Sequence, residues 1–105
     1  MMPGVDFQLL RERIKMREVL QLLHFEARVR WGDQWRGPCP VHRSRNVRSR
    51  SFSVNMGLGR YQCFVCGSRG HALELWSAVR GVSVYAAALE LCPLLGIKVP
   101  WVTRW

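Results

Sequence analysis

Two short ligand pairs, Cys39-Pro40-Val41-His42 and Cys63-Phe64-Val65-Cys66, stand 20 residues apart in this chain. Each has the two-residue gap that lets a tight turn aim both side chains at one ion. Together they supply three thiols and an imidazole, the full tetrahedral complement of a structural zinc. Cys39, Cys63 and Cys66 would bind as thiolates and His42 as neutral imidazole, which leaves the centre at about −1 formally. Four protein ligands leave no place for a reactive water, so the pattern points to one structural Zn2+ and away from a catalytic metal. No catalytic residue is assigned.

The rest of the composition agrees with a small domain that needs such a staple. A chain of 105 residues buries a modest share of its surface, and a bound metal offsets that shortage. Hydrophobic residues make up 49%, enough for a folded core. There is no apolar run of 18 residues, so no transmembrane helix is expected. Asp6, Arg11, Glu12 and Arg13 interrupt any secretory leader, so a cytoplasmic protein without a membrane partner is expected. Thiols stay reduced in that compartment, which favours metal ligation over disulfides. The fourth cysteine, Cys92, lies in the apolar run Ala86-Ala87-Ala88-Leu89-Glu90-Leu91 and reads as a buried side chain.

Periodicity divides a single domain, residues 1–105, into four parts: a helical lead-in over 5–24, a ribbon over 25–70, helices over 71–96 and a tail over 97–105. Asp6 caps the lead-in. Phe7, Leu10 and Ile14 share one face, and Met16, Val19, Leu20 and Leu23 form a second register, so one bent helix or two short ones fit. Residues 25–37 alternate in strand fashion around a Gly32-Asp33 turn. Phe52 and Val54 share a face of the next strand, and Arg60–Cys63 makes the last one before the second ligand pair. Gly67 and Gly70 permit the exit turn. Helical spacing then returns with Leu73, Trp76, Ala78 and Val79. Gly81 stops that helix, Ser83 caps the next, Pro93 is expected to kink or restart it and Gly96 to end it. The class is α+β, a short sheet between N-terminal and C-terminal helices.

The formal net charge is +9, and fourteen of the sixteen cations are arginine. Arginine grips phosphate bidentately and stacks on bases, which lysine does not. The excess is local: Arg28, Arg30, Arg36, Arg43, Arg45, Arg48, Arg50 and Arg60 fall between residues 28 and 60, opposed there by Asp33 alone. Trp31, Trp35, Phe52, Tyr61 and Phe64 interleave with them. Phosphate-gripping cations among rings that stack on unpaired bases suit single-stranded nucleic acid. Phe52 and Phe64 are assigned to packing, while packing and stacking both stay open for Trp31, Trp35 and Tyr61. The eight arginines with Trp35 and Tyr61 form the candidate nucleic-acid surface.

The ordered set Gly37-Pro38-Cys39-Pro40-Val41-His42, Ser51-Phe52-Ser53-Val54, Tyr61-Gln62-Cys63-Phe64-Val65-Cys66-Gly67 and Gly70 before a helix closely resembles the N-terminal zinc-binding domain of bacterial DNA primases of the DnaG type. The resemblance spans about Phe7 to Pro100. It implies a zinc ribbon, a small antiparallel sheet with helices around it, that binds single-stranded template and helps start an RNA primer in DNA replication. It implies Cys39, His42, Cys63 and Cys66 as the ligands and the ribbon sheet as the template surface, with Arg30, Arg36, Arg60 and Tyr61 foremost. A primase catalytic domain or replicative helicase in trans is the implied protein partner, as in a primosome.

The chain departs from that pattern in three places. The loop before Ser51-Phe52 is longer and almost purely arginine, which extends the expectation to duplex and RNA. His71 stands where a small polar or acidic helix starter is usual. The sequence stops where a polymerase domain should begin, and its seven acids are scattered, so this chain is not expected to make a primer alone. The alternative is a protein-interaction ribbon that docks on a separate polymerase or helicase through Trp76, Trp101 and Trp105.

Overall fold

The structure is a computed structural model that describes residues 3–46 and 48–103. The strands are β1 (Pro3–Val5), β2 (Val29–Trp31), β3 (Gln34–Gly37), β4 (Phe52–Asn55), β5 (Arg60–Cys63), β6 (Arg69–His71) and β7 (Trp101–Thr103). The helices are α1 (Phe7–Arg13), α2 (Met16–Leu22), α3 (Ala72–Arg80) and α4 (Val84–Leu94). β2 to β6 form one antiparallel sheet in sequence order, and β1 pairs with β7 in a separate two-stranded ladder. The α+β ribbon with flanking helices is therefore the fold.

Local chemistry sets most boundaries. The Asp6 carboxylate accepts the Leu9 N–H at 3.1 Å and starts α1. The lead-in is two helices, with Ile14 extended (ψ 115°) and Lys15 at the start of α2, whose N–H is taken by Glu18. Gly81 adopts φ +68° and closes α3, a conformation cheap for glycine, and Ser83 caps α4 through Ala86 N–H. Pro93 does not restart the chain. It sits in the last turn of α4, where few ladder bonds remain to be lost. His71 is the N-cap of α3; the Glu74 carboxylate accepts its N–H at 3.1 Å and lies 3.5 Å from its Nδ1. Residues 25–28 are not strand, and Phe25 instead packs edge-on against Phe52 at 5.2 Å.

The core lies between the helices and one face of the sheet. Leu10, Val19, Leu73, Leu75, Leu91 and Cys92 are at most 1% exposed, and Phe52 and Val54 meet them from β4. Each such apolar side chain contributes roughly 1.5–3 kcal/mol by leaving water. Trp76, 8% exposed, belongs to this core, and its indole N–H donates to Glu90 at 2.9 Å. The docking alternative therefore loses Trp76, and Trp105 lies outside the described residues. Among the described residues no helix is long and apolar enough to cross a membrane.

Candidate metal centre and nucleic-acid face

The ribbon brings the two pairs together at one end of the sheet. Gly37 of β3 and Cys63 of β5 both register with Phe52 of β4, so the chain leaving β3 at Pro38-Cys39 arrives beside the end of β5. The ligand atoms of Cys39, His42, Cys63 and Cys66 all lie within 4.8 Å of one another. Cys39 Sγ is 3.9 Å from Cys66 Sγ, and Cys63 Sγ is 3.5 Å from His42 Nδ1. Tetrahedral zinc with bonds of ~2.3 Å to sulfur and ~2.0–2.1 Å to nitrogen holds its ligands about 3.6–3.8 Å apart. The donor set and spacing therefore fit one zinc, which Cys39, His42, Cys63 and Cys66 would hold, with the His42 Nδ1 side turned toward Cys63.

Backbone amides build the turn at each pair. Val41 N–H points at Cys39 Sγ (3.3 Å), and the N–H groups of Val65 and Cys66 point at Cys63 Sγ (both 3.4 Å). Gly67 and Arg43, each just after the second ligand of its pair, have φ of +76° and +49°. Burial pushes the Cys39 thiol up to about 12. Burial also opposes the Cys63 thiolate, but the Cys66 and Val65 amides, with side-chain bonds from Cys66 and Cys39, draw that thiol down to about 6. A dication at the centre would offset the mutual repulsion of three thiolates. His24-Phe25-Glu26 carries the His-x-Glu spelling of zinc-dependent base deaminases, yet His24 is outside the cluster.

Strand register sorts the candidate nucleic-acid residues. Trp35, Val54 and Tyr61 stand in one cross-strand row, on the face that covers the core. Tyr61 is 4% exposed, stacks on Phe52 at 5.5 Å, and shares a 2.8 Å hydrogen bond with Ser68 Oγ. It is not available to stack on a base. Trp35 is half-buried on the same side, with the Arg30 guanidinium 4.1 Å over its ring, so Arg30 and Trp35 also leave the open face.

The opposite face has two rows. Trp31, Gln34, Asn55, Arg60 and His71 make the first; Arg36, Ser53, Gln62 and Arg69 make the second. Gln34 and Ser53 hydrogen bond across it. Phe64, assigned to packing from sequence, is 61% exposed and carries the Arg36 guanidinium 5.2 Å from its ring centre, so it ends this face beside the metal. Trp31, 83% exposed, ends it at the far corner. Arg69 was not among the candidates. Arg28 and Arg43 lie round the back of the first ligand pair, in a depression with Pro38 and Pro40. Arg45, Arg48 and Arg50 are exposed in the loop between the first pair and β4.

The parity of Cys63 carried the missing information. A strand residue two positions from a core-facing ligand shares its side, and its immediate neighbour faces the other way. That rule puts Tyr61 inward and Phe64 outward.

A family model described as CHC2 zinc finger, of the DnaG zinc-ribbon type, matches residues 4–104. The DNA primase of Thermotoga maritima is 30% identical over 99 residues, which are 94% of this chain and 17% of that protein. The DNA primase of Treponema pallidum is 33% identical over 76 residues, 72% of this chain and 12% of that protein. The crystal structure of the Aquifex aeolicus primase, comprising zinc binding and RNA polymerase domains, superposes with a TM-score of 0.73 at 29% identity. The match covers 91% of this chain and 23% of that one. The chain spans less than a fifth of the length of these curated relatives.

Proposed function

Because the chain belongs to the CHC2 zinc-finger family, as a zinc ribbon of DnaG-type DNA primases, we propose that its open sheet face binds single-stranded template DNA for primer initiation in replication. The observation that carries this reading is the clustering of Arg36, Arg60 and Arg69 on one solvent face whose ends are the exposed rings of Phe64 and Trp31. Guanidinium groups hold phosphates there while the rings take unpaired bases. Rows on this face are two residues apart, about 7 Å along the strands. That spacing suits a few consecutive nucleotides.

The zinc holds the surface in shape and does no chemistry. Glu74 is engaged by Arg11 and His71, and Glu90 by Arg80 and Trp76. Nucleotidyl transfer is assigned to an RNA polymerase domain such as the one named in the Aquifex structure, in cis or in trans, with a replicative helicase as further partner. The cytoplasm is the expected site of action. The docking alternative keeps one observation: Tyr85 of α4 and Trp101 of β7, 43% and 50% exposed and both outside the five-stranded sheet, meet at 6.4 Å.

Fluorescence anisotropy across a salt series tests the reading. Replacing Arg36, Arg60 and Arg69 together by Ala should flatten the log–log salt slope for single-stranded DNA by about 2, at roughly −0.7 per phosphate. Unchanged slope and affinity in a folded, zinc-loaded variant would remove the open face from binding. A Trp101→Ala variant should leave single-strand binding as it was.

A further inference from the structure

The loop between the first ligand pair and β4 is pinned at both ends beside the metal. Ser44 N–H bonds Cys39 O at 3.1 Å, Phe64 N–H bonds Ser51 O at 2.9 Å, and Arg36 Nε donates to Arg50 O at 3.0 Å. Arg50 is thus held next to the Phe64 end of the open face, and Arg45 and Arg48 belong to the same anchored loop. Arg45, Arg48 and Arg50 are exposed, and among the described residues none of their guanidinium groups has a protein partner. No acidic residue lies between Asp33 and Glu74 to neutralise them.

The loop differs from the face in one chemical respect. The face combines cations with Phe64 and Trp31, whereas residues 43–51 contain no aromatic ring. Unpaired bases running past Phe64 would find no surface to stack on. Paired bases stack on each other and need none. A duplex also presents one phosphate charge per ≈ 1.7 Å of axis, twice the density of one of its strands, so a patch of bare guanidinium groups gains more from it. Phe64 and Val65, 61% and 72% exposed at the tip between the two surfaces, offer an apolar platform at the boundary.

We propose that Arg45, Arg48 and Arg50 form a second phosphate-binding element that takes the duplex flanking the single strand, so that the domain seats a single-strand/duplex junction with Phe64 at the boundary. This rests on the open face holding the unpaired strand. DNA duplex and RNA–DNA hybrid share the chemistry the loop recognises, and the two are separate arms of the test.

The test compares the zinc-loaded wild type with the Arg45→Ala, Arg48→Ala, Arg50→Ala triple variant. The probes are a single strand, a blunt duplex, a DNA duplex with a single-stranded overhang, and an RNA–DNA hybrid with the same overhang. Wild type should bind at least one overhang substrate roughly tenfold or more tighter than the single strand. Its salt slope should be steeper by about 2–3, at ≈ −0.9 per duplex phosphate. The triple variant should bind junction and single strand alike, with single-strand affinity within about twofold of wild type. A wild type that binds junctions no tighter than single strands overturns the proposal and leaves the open face standing. A variant that loses single-strand and junction affinity equally also overturns it, by making the loop part of the single-strand track. Binding of no probe by wild type overturns both readings. Zinc content and thermal midpoint confirm that the variant is folded.

Discussion

Cys39 and Cys92 are buried thiols that differ in one respect, and serine substitution at each isolates what the metal contributes. Cys39 is 1% exposed and 3.9 Å from Cys66 Sγ; Cys92 is fully buried in α4 with no ligand neighbour, and burial pushes its thiol up, so it stays protonated. Cys92→Ser places a hydroxyl in an apolar site and should cost ~1–3 kcal/mol. Cys39→Ser carries a similar burial cost and also deletes a zinc ligand. Structural zinc is worth ~10–16 kcal/mol to such a fold, and one ligand in four is on the order of 3–4 kcal/mol of that. Domains are stable by only ~5–15 kcal/mol, so Cys39→Ser should be at or past the edge of unfolding while Cys92→Ser remains folded. The extra 3–4 kcal/mol corresponds to a zinc affinity weaker by about a hundred- to a thousandfold. Urea unfolding in zinc buffer and chelator competition read the two quantities separately. Equal destabilisation of the two variants, or an unaltered zinc affinity in Cys39→Ser, would refute the ligand assignment.

The inversion of Tyr61 and Phe64 gives opposed predictions. Tyr61→Phe should cost ~0.5–1.5 kcal/mol of stability through the lost Ser68 bond, seen by urea unfolding, with single-strand binding unchanged. Phe64→Ala should keep its stability and lose ~1–3 kcal/mol of single-strand affinity, the worth of one stacked base. A third concerns Glu90, whose carboxyl is held below its ordinary value of 4.5 by Arg80 first and Trp76 second. A depressed acid contributes stability above its unfolded pKa and loses it as pH falls through the folded value. The thermal-midpoint gap between wild type and Glu90→Gln should therefore close as pH is lowered from about 6 to about 3; a gap that persists at the acid end would show that the ion pair is not its source.

Features decided by neighbours in the chain were legible. The Asp6 and Ser83 caps, the Gly81 stop and the Gly32-Asp33 turn each rest on chemistry within four residues, whereas the choice between one bent lead-in helix and two short ones stayed open until the structure gave two. The four ligands were legible because two-residue gaps give them a shared geometric purpose. The side of each strand was harder, since alternation says which residues share a face and not which face is covered. Phe52 and Val54 went inward as expected, but Tyr61 and Phe64 were assigned by residue type instead of by their offset from Cys63. Arg69 was missed because Arg69–His71 looked like an exit loop; its strand identity comes from pairing with β5. The β1–β7 ladder had no local signature, and its partners stand 96 to 100 positions apart.

That ladder gives the molecule a seam. Closing a loop of about 100 residues costs roughly 4 kcal/mol of chain entropy, against much less for the hairpins of the ribbon. Two strands alone return little of it. The pairing of Gly4 with Val102, and the nearby bond from Asp6 N–H to Pro100 O, should be the last contacts to form during folding and the first to open afterwards. Amide protons along the seam should exchange with solvent well before those of Phe52 and Val54. The metal end and the clasp end of this small protein therefore live on different clocks.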